Sequence, residues 1–262
     1  GIDLKTIIDY IQRYPEDFRL DKAIEPQHLS IASLYAVCGF FKIVKQARQE
    51  GILSFPCDRV LAFRTPRDGE MIINMTRVQG VDCTKVDELS LAEMEARRQV
   101  FEVVAFLQQK VPGFSNSYLI ETGTYTGARE SRHIRGKYVL TVDDIVGARK
   151  FEDGIACGAF PVDIHNPVGE GGTYKFLPDG EFYTIPYRVL LPDGLDGLLI
   201  AGRCVSATHE AAGSIRVSPT AMALGQAAGV AAALAVKHGC SVHEVQVDKL
   251  RDKLKAQGAF IP

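Results

Sequence analysis

The spacing of apolar residues along the chain predicts several helices. Apolar residues recur with a helical period in residues 4–13, 42–50, 87–109 and 241–257. A further helix, rich in alanine and glycine, is predicted to continue to about residue 237. It begins with Ser218 as its N-cap and Pro219 at the first helical position. Helices are therefore predicted both near the start of the chain and in its last quarter.

Other apolar runs predict short strands between these helices. Two runs flank a turn sequence at residues 65–69 and predict a hairpin, and a continuous run bounded by glycines predicts a strand buried on both faces. The predicted strands are residues 58–64, 70–75, 117–122, 138–141, 182–185, 187–191 and 198–201. The segment 166–180 contains four glycines, three of them at 169, 171 and 172, and is predicted to be a flexible or exposed loop. Together the elements predict an α/β (mixed α+β) fold.

The alanine- and glycine-rich helix contains Gly225 and Gly229, four positions apart. A membrane span needs about 20 apolar residues, and the apolar run here is shorter and is interrupted by Gln226. Small residues allow a helix to pack closely against a sheet or another helix. We therefore expect this helix to be buried in a core, and no membrane partner.

Composition excludes several classes of protein. The chain has 262 residues, 46% of them hydrophobic and 24% charged, as is typical of a folded globular protein. A net charge of -2 gives no basic surface for nucleic acid, so we expect no nucleic-acid partner. The six cysteines are scattered without a C-x-x-C pair, which predicts neither a metal site nor a disulfide framework. Together with the lack of an apolar leader, this predicts a cytoplasmic protein.

The segment 198–229 carries the most specific chemical pattern. It reads as a buried strand, an exit at Gly202, a polar loop and then the helix that starts at Ser218. Glycine at the end of a strand allows another molecule to approach the backbone closely. The helix N-terminus offers unpaired N–H groups and a positive dipole end, which attract phosphate or an electron-rich ring.

These residues resemble a known family. The segment is similar to the C-terminal, flavin-contacting part of FAD-dependent oxidoreductases of the glutathione-reductase type, and more narrowly to a bacterial FAD-dependent oxidoreductase family. The matching motifs are Gly202-Arg203, Ser206-Ala207-Thr208-His209, Arg216-Val217, the Gly-Gln-Ala-Ala-Gly run that starts at Gly225, the Arg-Glu-Ser-Arg-x-Ile-x-Gly segment that starts at Arg129, and Phe160-Pro161-Val162-Asp163-Ile164-His165. The resemblance spans most of residues 28–262.

The resemblance also implies a domain organisation. In such enzymes the FAD pyrophosphate lies on a Gly-x-Gly-x-x-Gly loop near the N-terminus, and no such loop occurs in this sequence. We therefore expect the chain to be the C-terminal portion of a longer enzyme, inactive by itself, whose FAD site is completed by an absent N-terminal domain. Residues 1–190 would form a β-rich cap or substrate region, and residues 191–262 the C-terminal part of the FAD-binding domain.

The resemblance further implies hydride transfer between a small-molecule substrate and FAD. The residues expected to contact the flavin are Gly202, Arg203, Ser206, Arg216, Ser218, Pro219 and Thr220. The residues expected to act on the substrate are Arg129, Arg132, His165 and His209. Arginine binds carboxylates and phosphates, and histidine transfers protons near neutral pH.

Other interpretations remain open at this point. On a strand, Arg129 and His133 would share one face while Glu130 and Arg132 share the other, and the cluster could be a surface ladder of ion pairs. Either histidine could serve packing alone. The whole chain could be a binding module that keeps a flavoprotein-like fold without catalysis. A fragment that exposes the surface for a missing domain is also expected to self-associate.

Overall fold

The computed structural model describes residues 1–21, 24–165 and 172–262. They form two compact units, which are called here the N-terminal unit (residues 1–127) and the C-terminal unit (residues 128–165 and 172–262). The C-terminal unit therefore contains residues from both sides of position 190. The predicted boundary at residue 190 separates a substrate region from a cofactor region. Division into compact units does not test that assignment, so it stays a prediction.

In its described residues the N-terminal unit combines three helices with a small sheet. The strands pair antiparallel in the order β1-β2-β3, with Ala36 opposite Phe63 and Ala62 opposite Ile73. The helices and strands are α1 (Leu4–Arg13), β1 (Ala36–Gly39), α2 (Phe41–Gln49), β2 (Val60–Arg64), β3 (Met71–Ile73) and α3 (Val86–Lys110). Short 3-10 turns occur at Pro15–Asp17 and Pro26–His28.

Local sequence explains how α1 begins and what it buries. The Asp3 carboxylate accepts hydrogen bonds from the backbone N–H groups of Lys5 and Thr6, which have no partner within the helix. One apolar face of α1 is buried in the core of this unit, with aliphatic and aromatic residues of α3 in the same core. The buried residues of α1 are Leu4, Ile7, Ile8 and Ile11.

The described part of the C-terminal unit contains two antiparallel strand pairs and four helices. Strand β4 pairs with β7, and β5 pairs with β6. The elements are α4 (Val142–Val146), β4 (Gly154–Gly158), β5 (Val162–His165), β6 (Gly172–Lys175), β7 (Tyr183–Pro186), α5 (His209–Ile215), α6 (Ser218–His238) and α7 (Val247–Ala256). At Gly158 a Cβ would lie 2.4 Å from the hydroxyl oxygen of Tyr183, so glycine allows β4 and β7 to pack closely.

Helix α6 packs through only one of its faces. Its buried residues are Thr220, Leu224, Ala227, Ala231 and Ala235. On the opposite side Met222 is 74% exposed and Val236 is 84% exposed, so the expected burial in a core applies to one face. Within the described residues α6 is also the one helix long and apolar enough to cross a membrane, and 28% of its most apolar stretch of 18 residues is buried.

The structure confirms the predicted helices and corrects several strands. Ser218 is the first residue of α6 rather than its N-cap, which is Val217. The hairpin of β2 and β3 is confirmed with shorter bounds, and the strand predicted at 182–185 is confirmed as β7, shifted by one residue. No strand forms at the other predicted positions, which are 117–122, 138–141, 187–191 and 198–201.

In three of these segments the backbone has other hydrogen-bond partners, whereas the side chains of Tyr118, Leu119 and Ile120 in the fourth are exposed. Tyr187–Leu190 is a 3-10 turn inside the core. Residue Ile200 donates a single hydrogen bond to the carbonyl of Leu190, without a ladder. Leu140 forms one isolated parallel bridge with Ala207. Leu198 is exposed and residues 199–201 are only partly buried, so the prediction that 198–201 is buried on both faces is wrong. Apolar character alone therefore did not predict strand pairing at these sites.

Candidate functional site

Two segments of the C-terminal unit lie side by side and create a polar cluster. The backbone N–H of Ile134 donates to the carbonyl of Cys204 at 2.9 Å. Further along, Leu140 donates to Ser206 at 3.1 Å, and Thr208 donates to Leu140 at 2.8 Å. These bonds hold the segment that carries Arg129 to His133 beside the loop that leads into α5, although the two are about seventy positions apart in sequence.

At the centre of the cluster, the carboxylate of Glu130 contacts two histidines. Its Oε1 lies 2.9 Å from Nε2 of His133, and its Oε2 lies 2.5 Å from Nδ1 of His209. The side chain of Glu130 is 22% exposed and that of His133 is 17% exposed, whereas that of His209 is 61% exposed. One histidine is thus enclosed while the other reaches solvent.

His133 also contacts the backbone. Its Nδ1 lies 3.0 Å from the carbonyl oxygen of Val205, which can only accept a hydrogen bond. Both ring nitrogens of His133 therefore face acceptors, and the doubly protonated ring satisfies both. Nδ1 of His209 in turn donates to Glu130, which leaves Nε2 of His209 as the nitrogen directed to other partners.

Three arginines lie around or near this cluster. Arg129 and Arg132 are exposed, and neither forms an ion pair or a side-chain hydrogen bond within the described part of the chain. Arg216 is partly buried and donates through Nη2 to the carbonyl of Asp163 at 2.7 Å. Its burial, and next the neighbouring charge of Arg129, lower the pKa of Arg216. Arg129 and Arg216 thus repel each other, and a bound anion would relieve that repulsion.

The N-terminus of α6 at Ser218 lies two residues after Arg216. Its N-cap residue Val217 has no side chain that can accept a hydrogen bond, so no side chain caps the helix. Ser218 and Pro219 are exposed there, while Thr220 is only 5% exposed. The positive end of a 21-residue helix is therefore open toward solvent in this unit.

A family model of FAD-dependent oxidoreductases matches residues 12–254. The chain belongs to this family. Its cofactor is accordingly FAD, its chemistry is flavin-dependent redox chemistry, and its substrate is a small molecule. No curated protein and no solved structure matches the chain significantly. Among the described residues no group of three or more His, Cys, Asp or Glu could hold a metal ion.

Several of the residues predicted to bind FAD are accessible at the surface of this unit. Gly202 has a φ of +81°, with open space where a Cβ would be, and Arg203 is exposed and donates to the carbonyl of Ala128. With the uncapped N-terminus of α6, these groups supply donors and positive charge that suit phosphate and an electron-rich flavin ring. The residues of this unit fit FAD in that respect.

Ser206 is placed differently. It has no exposed surface, and its Oγ accepts a hydrogen bond from the backbone N–H of Gly136 at 3.1 Å. A Cβ on Gly136 would lie 2.7 Å from that of Ser206, so the two backbones are in close contact. In this structure the Ser206 hydroxyl stabilises the paired segments, and its contact with the flavin stays an untested prediction.

The site residues predicted from sequence are therefore only partly brought together. Arg129 and His209 lie at or beside the Glu130 cluster. His165 ends β5, opposite Gly172, and its side chain lies outside the described residues, as do residues 166–171 of the predicted loop. The roles of all these residues stay predictions.

Sequence reasoning missed Glu130 and His133 as site residues. A strand would have placed them on opposite faces, but residues 123–135 form no strand, and the side chains of Glu130 and His133 meet. The available signal was the placement of an acidic residue three positions before a histidine. His209 could not be recognised as their partner from sequence, because only the fold brings it there.

Proposed function

We propose that the protein transfers hydride between a small-molecule substrate and FAD. The observation that carries the proposal is the uncapped, exposed N-terminus of α6, which follows α5 after only Arg216 and Val217. Helix α5 begins at His209, whose ring contacts the carboxylate of Glu130. This histidine and the N-terminus of α6, which attracts electron-rich groups, therefore lie on consecutive helices. Membership of the FAD-dependent family supports the same conclusion.

Each group would contribute by its own chemistry. FAD, when bound, accepts or donates the hydride at N5. The backbone N–H groups at the start of α6 would stabilise negative charge on the reduced ring, with Ser218, Pro219 and Thr220 closest to it. Arg203 and Arg216 would attract cofactor phosphate, and Arg129 and Arg132 a substrate carboxylate. His209 would exchange a proton with the substrate, and His165 is a second candidate for that role.

The finer assignments belong to the same proposal. The chain would be the C-terminal portion of a cytoplasmic, bacterial enzyme of the glutathione-reductase type. A preceding domain with a Gly-x-Gly-x-x-Gly loop would complete its FAD site, and the chain alone would be inactive. Neither a membrane nor nucleic acid would be a partner. Self-association of the isolated chain would be visible by light scattering.

A second candidate is a non-catalytic interaction module. The observation that favours it is the exposed face of α6, where Met222 and Val236 are largely accessible and Gly225 and Gly229 are exposed. Such a face could pack against a separate partner protein or against a further domain of the same enzyme. The two candidates differ in whether the protein holds flavin.

The first test is the visible absorption spectrum of the protein encoded by the complete gene, purified without added FAD, beside that of this 262-residue chain. Flavin bands in the complete protein support the proposal, and their absence from the shorter chain supports a divided site. If neither protein shows flavin after FAD is added, the interaction module is the better account.

A matched pair of substitutions tests where the flavin lies. Val217→Asp adds a capping carboxylate to α6, and Gln246→Asp adds one to α7, whose N-cap also lacks a side-chain bond. Each should stabilise its helix by about 1 kcal/mol, measured by urea denaturation. Only Val217→Asp should lower the retention of FAD, because its carboxylate would occupy the N–H groups that the start of α6 offers to the cofactor. Unchanged retention in Val217→Asp would contradict the placement.

A substrate search completes the test. The flavin-loaded protein would be mixed anaerobically with a panel of alcohols, amines and hydroxy acids, and bleaching of the flavin band would be recorded. Bleaching by a member of the panel identifies the substrate class.

A further inference from the structure

We infer that Glu130 is a positioning residue that fixes the ring of His209 for proton transfer, and that a cationic His133 holds Glu130 in place. The inference rests on the proposed function, because it assigns His209 a substrate proton. It also makes a statement about the protonation of two histidine rings that can be measured without any substrate.

The protonation of His133 follows from its two contacts. The carbonyl of Val205 cannot donate, so Nδ1 of His133 carries a hydrogen and donates it at 3.0 Å. A neutral ring would then direct the lone pair of Nε2 at the Glu130 carboxylate, 2.9 Å away. Two facing lone pairs repel, whereas a protonated Nε2 forms a charge-assisted hydrogen bond. His133 is therefore an imidazolium paired with Glu130.

The second oxygen of Glu130 determines the tautomer of His209. An ionised carboxylate only accepts, so Nδ1 of His209 carries the hydrogen that it donates to Oε2. In the neutral ring the lone pair is then on Nε2. No hydrogen bond from the described residues occupies Nε2, and the side chain is 61% exposed, so this atom can reach a substrate.

Backbone hydrogen bonds hold the segments that carry the side chains of Glu130, His133 and His209. Ile134 is bonded to Cys204 directly after His133, and Thr208 both donates to Leu140 and caps α5 through its hydroxyl, which accepts from the N–H of Ala211. These backbone hydrogen bonds fix the two segments that carry Glu130 and His209. The other charges around this cluster are those of Arg129, Arg216 and Asp163.

The proton step can be written for oxidation of a substrate alcohol or amine. Bound FAD would supply the acceptor for the hydride, with its two electrons, that leaves the substrate carbon. Nε2 of His209 would take the O–H or N–H proton as the C=O or C=N bond forms, and would then release that proton to solvent. Glu130 stabilises the charged ring of His209 during the step without touching the substrate.

The test compares Glu130→Gln with Glu130→Ala by long-range ¹H–¹⁵N correlation spectra of the histidine rings in the full chain. In the unmodified protein His133 should be protonated on both nitrogens, and His209 should carry hydrogen on Nδ1. The amide introduced by Glu130→Gln could accept from His209 through its oxygen and donate to Nε2 of His133. That variant should therefore keep the His209 tautomer and neutralise His133. Glu130→Ala should lose the fixed tautomer of His209.

A matched control is Glu210→Gln, which removes the same charge from the residue after His209. No hydrogen bond or ion pair of Glu210 within the described residues involves either histidine, so both rings should keep their spectra. Circular dichroism would show that each variant is folded. A His209 ring that keeps its tautomer in Glu130→Ala would overturn the inference.

Kinetics separate this inference from the proposed function. With the compound that bleaches the flavin fastest, Glu130→Ala should lower the rate of flavin reduction at least about tenfold with little change in KM, and Glu130→Gln should recover part of the loss. An unchanged rate in Glu130→Ala would refute the positioning role alone. A protein that never holds flavin, yet shows the expected ring spectra, would refute the hydride-transfer function and with it the catalytic part of the inference.

Discussion

At the scale of single residues, two tyrosines have an unusual environment in the core of the C-terminal unit. The Tyr183 hydroxyl donates to Oγ of Ser214 at 2.7 Å, and Ser214 in turn donates to the carbonyl of Phe160. The Tyr187 hydroxyl donates to the carbonyl of Val242 at 2.9 Å. Both side chains are almost completely buried, and burial raises the pKa of each from 10.0 to about 12.

These pKa values predict a loss of stability in alkali. Between pH 10 and about 12 the unfolded chain ionises its tyrosines while Tyr183 and Tyr187 stay protonated in the folded protein, so ionisation favours unfolding. Each should lower the free energy of unfolding by roughly 2–3 kcal/mol by the end of that interval. Urea denaturation at several pH values would measure this loss.

The corresponding control is phenylalanine at each position. Tyr183→Phe and Tyr187→Phe should each lower the free energy of unfolding near neutral pH by about 1 kcal/mol, through a lost hydrogen bond. Each should also make the decrease above pH 10 smaller than in the unmodified protein. An equally steep alkaline decrease in both variants would show that other groups cause it.

At the scale of secondary-structure elements, three helical glycines differ in their surroundings. At Gly225 and Gly229 on α6, nothing lies within 4 Å of where a Cβ would be. At Gly213 on α5, a Cβ would lie 2.9 Å from the carbonyl oxygen of Asp163 in β5. The glycine in α5 allows the helix to approach a strand, whereas the two in α6 belong to its exposed face.

Alanine at these positions should therefore have opposite effects on stability. Gly225→Ala and Gly229→Ala should each raise the free energy of unfolding of this chain by about 0.5–1 kcal/mol, because alanine favours the helix. Gly213→Ala should lower it by about 1–3 kcal/mol through the backbone clash. Thermal denaturation of the three variants would measure the difference. Destabilisation by Gly225→Ala would indicate that another surface covers α6 in solution.

At the scale of the whole molecule, each compact unit has its own apolar core. The core of the N-terminal unit is formed within residues 4–114, and that of the C-terminal unit within residues 140–261. Among the described residues, each core is formed by side chains of a single unit. This arrangement is what independently folding domains show.

Residues 1–127 should therefore fold when expressed alone. The fragment should show helical circular dichroism and a cooperative urea transition, because its helices and three-stranded sheet share one core. As a control, a fragment that ends at residue 100 would remove the last turns of α3, including Val103, Phe106 and Leu107, and should not unfold cooperatively. Loss of the transition in residues 1–127 would show that the unit depends on the rest of the chain.

Local patterns in the sequence predicted the elements whose structure depends on nearby residues. Helix α1 has the predicted bounds because Asp3 caps it and its apolar period is regular. The positive φ of Gly51 just after α2 and the hairpin between β2 and β3 were also predictable, since glycine and turn chemistry act within a few residues. The family of the chain was visible in its motifs, and the family match bears this out.

The contacts between distant residues were decided only by the tertiary structure. The sequence showed a cluster of charges at residues 129–133, but the bond between Glu130 and His209 spans 79 positions. Likewise Ser206 has the residue type of a ligand contact, yet the fold directs its hydroxyl to the backbone of Gly136. Periodicity and caps depend on neighbours along the chain, whereas burial and pairing depend on which segments meet in space. For that reason the sequence by itself determined the helices and the family, and the tertiary structure determined which polar groups form a site.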